Sequence, residues 1–233
     1  MVRLFALADL HLSLNGEKPM DIFGPAWTEH ADRMAEAWDR RVGADDVVLL
    51  PGDLSWARSL RDAALDLAWI EARPGMKVLL RGNHDSWWTS LQKVRAALSD
   101  RCVALQNDAV DAGQWVVVGA RGWTDPTDPS ATAEDAAVHR RELDRLRLSI
   151  ADADRRFGRE RPRVAMLHYP PWIVGRAPTE VVPILAAAGV RECVFGHLHG
   201  TDHALAVTGE HQGIRFLLVA SDAVDFGPVP IGG

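Results

Sequence analysis

Residues 78–85 read VLLRGNHD, an apolar run that leads into a glycine and three polar side chains. A run of this length is typical of a buried β-strand, and the polar residues mark the point at which the strand ends. Four other segments share this design: LFALADLH at 4–11, VVLLPGD at 47–53, VAMLHYPP at 164–171 and CVFGHLH at 193–199. Because sites in open α/β sheets form beyond the carboxyl ends of the strands, the five segments predict one polar site at that edge.

The stretches between these segments carry apolar residues at helical spacing. We predict strands at 2–8, 47–50, 77–80, 163–167 and 192–195, and helices at 27–42, 59–71, 86–98, 132–157 and 179–188. Two hairpins, 109–111 with 115–120 and 204–207 with 214–220, predict a second sheet. The alternation of strands and helices predicts a layered α/β fold with helices covering the sheets.

The length of 233 residues suits one domain, which we predict to cover residues 1–233. Residues 121–163 lie between the third and fourth polar segments, and we treat them as a candidate cap over the site. The Gly- and Pro-rich residues 227–233 are predicted to form a loosely held tail.

The composition, 47% hydrophobic and 25% charged, is that of an ordinary globular protein. The net charge of −6 argues against stable nucleic-acid binding. The two cysteines, Cys102 and Cys193, form no CxxC pattern, which favours buried free thiols in a reducing compartment. With no signal-peptide core and no run of about 18 apolar residues, we expect a cytoplasmic protein without a membrane segment.

The polar residues at the strand ends are the types that bind metal ions. Pairs one residue apart, Asp9 with His11 and His197 with His199, project to the same side of an extended chain and so fit one centre. Oxygen and imidazole donors without thiolate suit divalent Mn, Fe, Zn or Ni. The complete candidate ligand set is Asp9, His11, Asp53, Asn83, His168, His197 and His199.

The order D-x-H, G-D, G-N-H-D, H, G-H-x-H resembles that of the calcineurin-like metallophosphoesterases, also called binuclear metallophosphatases. The match runs from Asp9 to His199 and contains all five motifs in order. The resemblance implies a four-layer α/β/β/α sandwich of two mixed sheets, with the metal site at the carboxyl ends of the strands.

The resemblance also implies a role for each motif residue. One ion would be bound by Asp9, His11 and His199, and the other by Asn83, His168 and His197. Asp53 would bridge the two ions. His84 would be the catalytic imidazole at the leaving-group oxygen, and Asp85 would orient that imidazole.

These roles predict a metal-dependent phosphohydrolase that cleaves a small phosphomonoester or phosphodiester by attack of a metal-bridging hydroxide, with His84 assisting the leaving group. Two alternatives stay open: a metal-dependent nuclease, and a non-catalytic interaction scaffold of the same fold. The net charge and the lack of a Lys/Arg-rich segment weigh against the nuclease. The complete ligand set weighs against the scaffold.

Candidate substrate-binding residues lie beside the motifs. Arg81 and Arg121 are suited to holding a phosphate, and Trp87 and Trp172 to stacking on an aromatic group. After Asp53 the chain reads Leu54, Ser55, Trp56, where many family members carry another acidic or polar residue. The substrates of better-known branches therefore do not transfer to this chain.

Overall fold

A computed structural model describes residues 2–232. Its strands are β1 Leu4–Ala6, β2 Val47–Leu50, β3 Met76–Leu79, β4 Cys102–Ala104, β5 Val110–Ala112, β6 Trp115–Ala120, β7 Arg163–Leu167, β8 Val190–Phe195, β9 Gly209–His211, β10 Ile214–Leu218 and β11 Val229–Ile231. Its α-helices are α1 His30–Arg41, α2 Ala64–Ala72, α3 Leu91–Ala97, α4 Ala133–Phe157 and α5 Val181–Ala187. None of the helices described is long and apolar enough to cross a bilayer.

The strands form two mixed sheets. The first has the order β11-β1-β2-β3-β4 and is parallel except for β11. The second has the order β5-β6-β7-β8-β10-β9, with antiparallel strands β5 and β9 at its edges. Because the inner strands of each sheet are parallel, their carboxyl ends lie at one edge.

Three apolar clusters show that the layers follow the order α/β/β/α. The first sheet packs α1, α2 and α3 on its outer face through residues such as Val48 and Leu50. Its inner face, including Val47 and Leu49, meets the second sheet. The outer face of the second sheet packs α4 and α5. Side chains alternate in direction along a strand, so β2 supplies both faces from neighbouring residues. The predicted four-layer fold is confirmed.

Three predictions about the second half of the chain are wrong. Residues 227–233 are not a loose tail throughout, because β11 pairs antiparallel with β1 from Leu4↔Ile231 to Ala6↔Val229; Gly233 lies outside the described residues. Ala204 and Leu205 instead end a 3₁₀ helix, Gly200–Leu205, Ala206 forms an isolated β-bridge with Ile173, and the hairpin partner of β10 is β9. Within the apolar stretch 204–207, Ala206 belongs to the apolar cluster on the outer face of the second sheet.

Most of the candidate cap, residues 121–163, does not cover the site. Within residues 121–163, helix α4 packs Leu143 and Leu146 onto the outer face of the second sheet. The part of this segment that borders the site is the loop before α4, where Trp123 contacts Tyr169 at 5.0 Å between ring centroids. The helix is therefore a layer of the fold and not a lid.

Candidate metal centre

The loops after β1 and β2 run side by side and bring Asp9, His11 and Asp53 together. The backbone N–H of Asp9 donates to the Gly52 carbonyl at 3.0 Å, and that of His11 donates to the Asp53 carbonyl at 2.9 Å. These bonds continue the parallel β1–β2 pairing beyond the strands. The position of each acidic side chain is thus determined by the backbone of the neighbouring loop.

The two sheets meet at the same edge. The N–H of Ala8 donates to the Val219 carbonyl at 2.8 Å, and the N–H of Ser221 donates to the Ala8 carbonyl at 3.0 Å. Ser221 Oγ also donates to the Asp9 carbonyl at 2.8 Å. The chain after β1 is therefore tied to the chain after β10, which places ligands from both sheets beside one another.

Asp9, His11 and His199 form the first donor cluster. One donor atom from each lies within 4.8 Å of the others. His11 Nε2 is 3.3 Å from His199 Nε2, and His199 Nε2 is 3.7 Å from Asp9 Oδ1. This is the set predicted for one of the ions.

The second donor cluster contains Asn83, His168, His197 and Asp53. Asn83 Oδ1 is 2.6 Å from His168 Nε2 and 3.0 Å from His197 Nδ1. Asp53 Oδ2 is 3.5 Å from His168 Nε2 and 3.8 Å from His11 Nε2. Asp53 therefore lies between the two clusters, as a bridging ligand must.

The backbone that brings the paired ligands together differs from our expectation. We predicted an extended chain, but Asp9, His11, Asp53 and His197 have positive φ angles of 58°, 45°, 52° and 74°. Left-handed backbone is uncommon for non-glycine residues and costs of order 1–3 kcal/mol each, and it clusters at functional sites. Asp9 and His11 lie in the same donor cluster, whereas His197 and His199 lie in different clusters, and the extended geometry we assumed is wrong for both pairs.

The protonation state and orientation of the donor atoms suit the binding of a cation. His168 Nδ1 donates to the Pro51 carbonyl at 2.9 Å, and burial lowers the pKa of this imidazole to about 3. His168 Nε2 consequently carries a lone pair and no proton, and it lies 2.6 Å from Asn83 Oδ1. An imidazole lone pair and an amide oxygen that converge at this distance can bind the same metal ion, so this arrangement suits a metal site.

The buried carboxylates lead to the same conclusion. Burial, and then the charge of Asp53, raise the pKa of Asp9 well above its ordinary value. Burial raises the pKa of Asp53 as well. Burial lowers the pKa of His11 and brings the pKa of His197 to about 3, so these rings are neutral and offer lone pairs. Divalent cations compensate two buried negative charges and accept those lone pairs.

Asp222 is a site residue that we did not predict. Its Oδ1 is 2.9 Å from His199 Nδ1, and its Oδ2 accepts from the Gly200 N–H at 2.9 Å. Burial lowers the pKa of His199, but the Asp222 hydrogen bond and the Asp9 charge outweigh it, so the net shift is upward. A carboxylate on one ring nitrogen orients the other toward a metal. The signal was present, because Asp222 follows β10 just as the predicted ligands follow their strands.

Two glycines allow the loops to approach this closely. A Cβ on Gly82 would overlap Asp53 Oδ1 and the Asp53 backbone nitrogen. A Cβ on Gly196 would overlap Asp9 Oδ2. The glycines before Asn83 and His197 therefore provide the space that the carboxylates occupy.

Gly82→Ala is expected to displace the Asp53 carboxylate and to weaken metal binding by at least about tenfold, the lower end of the effect of disturbing a ligand's support. Metal content after loading and dialysis, measured by mass spectrometry, checks this. Gly43→Ala is the matched control, since the nearest contact of its Cβ would be Asp46 Oδ2 at 3.3 Å, away from the site. Full metal content in Gly82→Ala would contradict the packing argument.

The side chains of the predicted catalytic pair, His84 and Asp85, lie in different surroundings. The His84 side chain is 43% exposed, and its Nε2 is 4.0 Å from Asp53 Oδ2. The fully buried Asp85 carboxylate instead accepts hydrogen bonds from the N–H groups of Leu54, Ser55 and Gly82 and from the Trp87 indole, at 2.7–3.1 Å. No hydrogen bond from Asp85 to the His84 ring occurs within residues 2–232. The prediction that Asp85 orients His84 is wrong; Asp85 holds the loops after β2 and β3 together.

The four candidate substrate-binding residues do not lie where we predicted. Trp87 is fully buried and donates to Asp85, so its assignment to substrate stacking is wrong. Trp172 donates to the Arg176 carbonyl and packs against the second helical layer. Arg81 and Arg121 line a narrow cavity with Glu142, and Arg121 Nη2 is 3.3 Å from Glu142 Oε1. None of the seven donor residues lines that cavity. The Arg121 carbonyl accepts from the His168 N–H at 3.0 Å, but its guanidinium is directed to Glu142.

Sequence comparison identifies the protein family of this chain. A family model described as calcineurin-like phosphoesterase matches residues 2–201, which include all seven donors and His84. The chain belongs to the calcineurin-like phosphoesterase family. Two proteins called Gene 66 protein share shorter segments with this chain: 47% identity over 57 residues in Mycobacterium phage L5 and 39% over 88 residues in Mycobacterium phage D29. These matches span 24% and 36% of this chain and only 27% and 41% of the phage proteins.

Solved structures share the fold of this chain at low sequence identity. Phosphopantetheinyl hydrolase (PptH) from Mycobacterium tuberculosis has a TM-score of 0.61 and 16% identity, covering 94% of this chain and 88% of that chain. The protein of unknown function AQ665 from Aquifex aeolicus has a TM-score of 0.54 and 14% identity, covering 99% and 96%. TT1561 of Thermus thermophilus has a TM-score of 0.55 and 14% identity, covering 91% of each.

Proposed function

We propose that this phosphoesterase hydrolyses a phosphomonoester or phosphodiester and requires two divalent metal ions. The ions would be held by the two donor clusters, with Asp53 between them. The observation that carries the proposal is the meeting of two buried donor clusters beside the half-exposed imidazole of His84. Buried carboxylates and unprotonated imidazoles next to one exposed, titratable group are the features expected of a metal-assisted hydrolase.

Bound divalent ions supply positive charge that neutralises phosphate oxygens and lowers the pKa of water. The chain itself positions the reacting groups. The Asp53 carboxylate accepts from the His84 backbone N–H at 2.8 Å through Oδ1, which leaves Oδ2 between His168 and His11. This hydrogen bond also fixes the distance between the bridging carboxylate and the His84 residue.

His84 supplies the proton for the leaving group in this proposal. Burial lowers the pKa of His84, while the negative charge of Asp53 opposes that shift. Only the protonated ring can donate to an alkoxide, so we expect leaving-group assistance to decline as the pH rises past the pKa of His84. The exposed side of the ring is the side from which an alcohol product leaves.

A panel of chromogenic phosphomonoesters and phosphodiesters, assayed with Mn²⁺, Ni²⁺, Zn²⁺ or Mg²⁺, tests the proposal. We expect hydrolysis with at least one transition ion, loss of that activity with a chelator, and recovery when the ion is restored. Metal content is measured on the same samples. A protein that retains no transition ion and cleaves none of the esters contradicts the proposed function.

A further inference from the structure

A cavity of about 670 Å³ opens beside the imidazoles of His11, His84 and His199. This volume falls within the range of roughly 300–1,000 Å³ that is usual for small-molecule sites. Apart from the imidazoles, its wall is mainly apolar, formed by Met20, Phe23, Trp27 and Trp56. The four candidate substrate-binding residues, Arg81, Trp87, Arg121 and Trp172, are not among those that line it.

The aromatic wall runs from the rim of the cavity to the donor residues. Phe23 is 55% exposed and lies nearly parallel to Trp56, with ring centroids 6.3 Å apart. Trp56 in turn stacks on His11 at 4.9 Å and contacts His84 at 4.3 Å. Trp27 packs edge-on against His199 at 5.6 Å. Aromatic side chains therefore extend from an exposed phenylalanine to the site, and the Lys18 ammonium lies over the Trp56 and Phe23 rings.

The charges that line the cavity do not suit a polyanionic ligand. Lys18 is the cation among the described lining residues, and its Nζ lies 3.1 Å from the Trp56 ring centroid. Asp222 is the carboxylate, and it is engaged by His199. A nucleic-acid strand would need several cations along its path. An uncharged, apolar group would be favoured because it replaces water on the aromatic wall.

We infer that this cavity binds the alcohol portion of the phosphate ester and selects esters of apolar alcohols. The inference rests on the proposed function, in which His84 faces the leaving oxygen. Because His84 also lines the cavity, an alcohol attached to that oxygen extends along Trp56 toward Phe23. Selectivity comes from burial of the alkyl chain and does not require a specific polar contact.

Ethyl, butyl and octyl phosphate test the inference, since their leaving groups have nearly equal acidity and differ in apolar length. A fully buried methylene improves binding by about fourfold. We expect kcat/KM to rise by about tenfold or more from butyl to octyl phosphate. Phe23→Ala should reduce that ratio severalfold, because it lowers kcat/KM for octyl phosphate more than for ethyl phosphate. Ile22→Ala is the matched control, because Ile22 is 66% exposed in the same 3₁₀ helix, Met20–Phe23, and does not line the cavity.

The outcomes separate this inference from the proposed function. Equal kcat/KM for the three esters, or equal effects of Phe23→Ala and Ile22→Ala on octyl phosphate, would overturn the inference while hydrolysis of ethyl phosphate still supports the function. Calorimetric titration of the metal-loaded protein with octylphosphonate and ethylphosphonate gives an independent readout. If no ester is cleaved, the function fails, and tighter binding of octylphosphonate would still support the cavity assignment. Equal affinities would overturn it.

Discussion

Asp53→Asn is expected to remove both bound metal ions and nearly all phosphate-ester hydrolysis. Asp53 Oδ2 lies within 3.8 Å of donor nitrogens from both clusters, so one substitution removes negative charge from both. Mutating a partner that merely supports a ligand typically costs roughly 10–100-fold in metal affinity. Loss of a bridging carboxylate should exceed that range and reduce kcat/KM by a still larger factor.

Metal content by mass spectrometry and initial rates at saturating Mn²⁺ check this expectation. The fold should persist, because asparagine has the same shape and retains an oxygen for the His84 N–H. Asp39→Asn is the matched control: Asp39 is half exposed and pairs with Arg73 at 2.6 Å, outside the donor clusters. An Asp53→Asn protein that keeps two ions and normal rates would contradict the assignment of Asp53 as the bridge.

His84→Ala is expected to lower kcat by roughly 10²–10⁴ and to leave metal content unchanged. The side chain is 43% exposed and lies outside both donor clusters, so its removal does not remove a ligand. The backbone N–H that donates to Asp53 Oδ1 survives the substitution. The loss should be largest for esters of poor leaving groups, because those alkoxides need a proton most.

A comparison of alkyl phosphates with 4-nitrophenyl phosphate measures that dependence. His211→Ala is the matched control, because His211 packs against Trp172 and contacts the Thr208 carbonyl, away from the donor clusters. If His84→Ala lost its ions as completely as Asp53→Asn, His84 would be a ligand or a structural support. A uniform loss across leaving groups would exclude proton donation as its role.

The architecture was largely predictable because its signals are local. Short apolar runs and helical spacing placed β2 and β7 at their observed bounds and most helices within a few residues. Strand β11 was missed because Val229–Ile231 is only three residues long and contains Pro230. Its strand conformation depends on pairing with β1 at the edge of the first sheet, where a proline is tolerated.

The candidate metal site was predictable as a set of residues but not as a geometry. Positive φ at Asp9 and His197 results from contacts between loops, which no single motif encodes. Asp85 illustrates the same limit. The motif places it next to His84, whereas the fold directs its carboxylate to Leu54 and Gly82. Neighbours in sequence can thus point to different partners.

What the sequence alone determined was the set of polar side chains and the strands that deliver them, because each strand and its polar end lie within a few consecutive residues. The tertiary structure decided which atoms face one another. It placed Asp222 behind His199 and the aromatic wall of Phe23 and Trp56 beside His84. These contacts join segments far apart in the chain, so they arise only when the two sheets have packed and their loops have met.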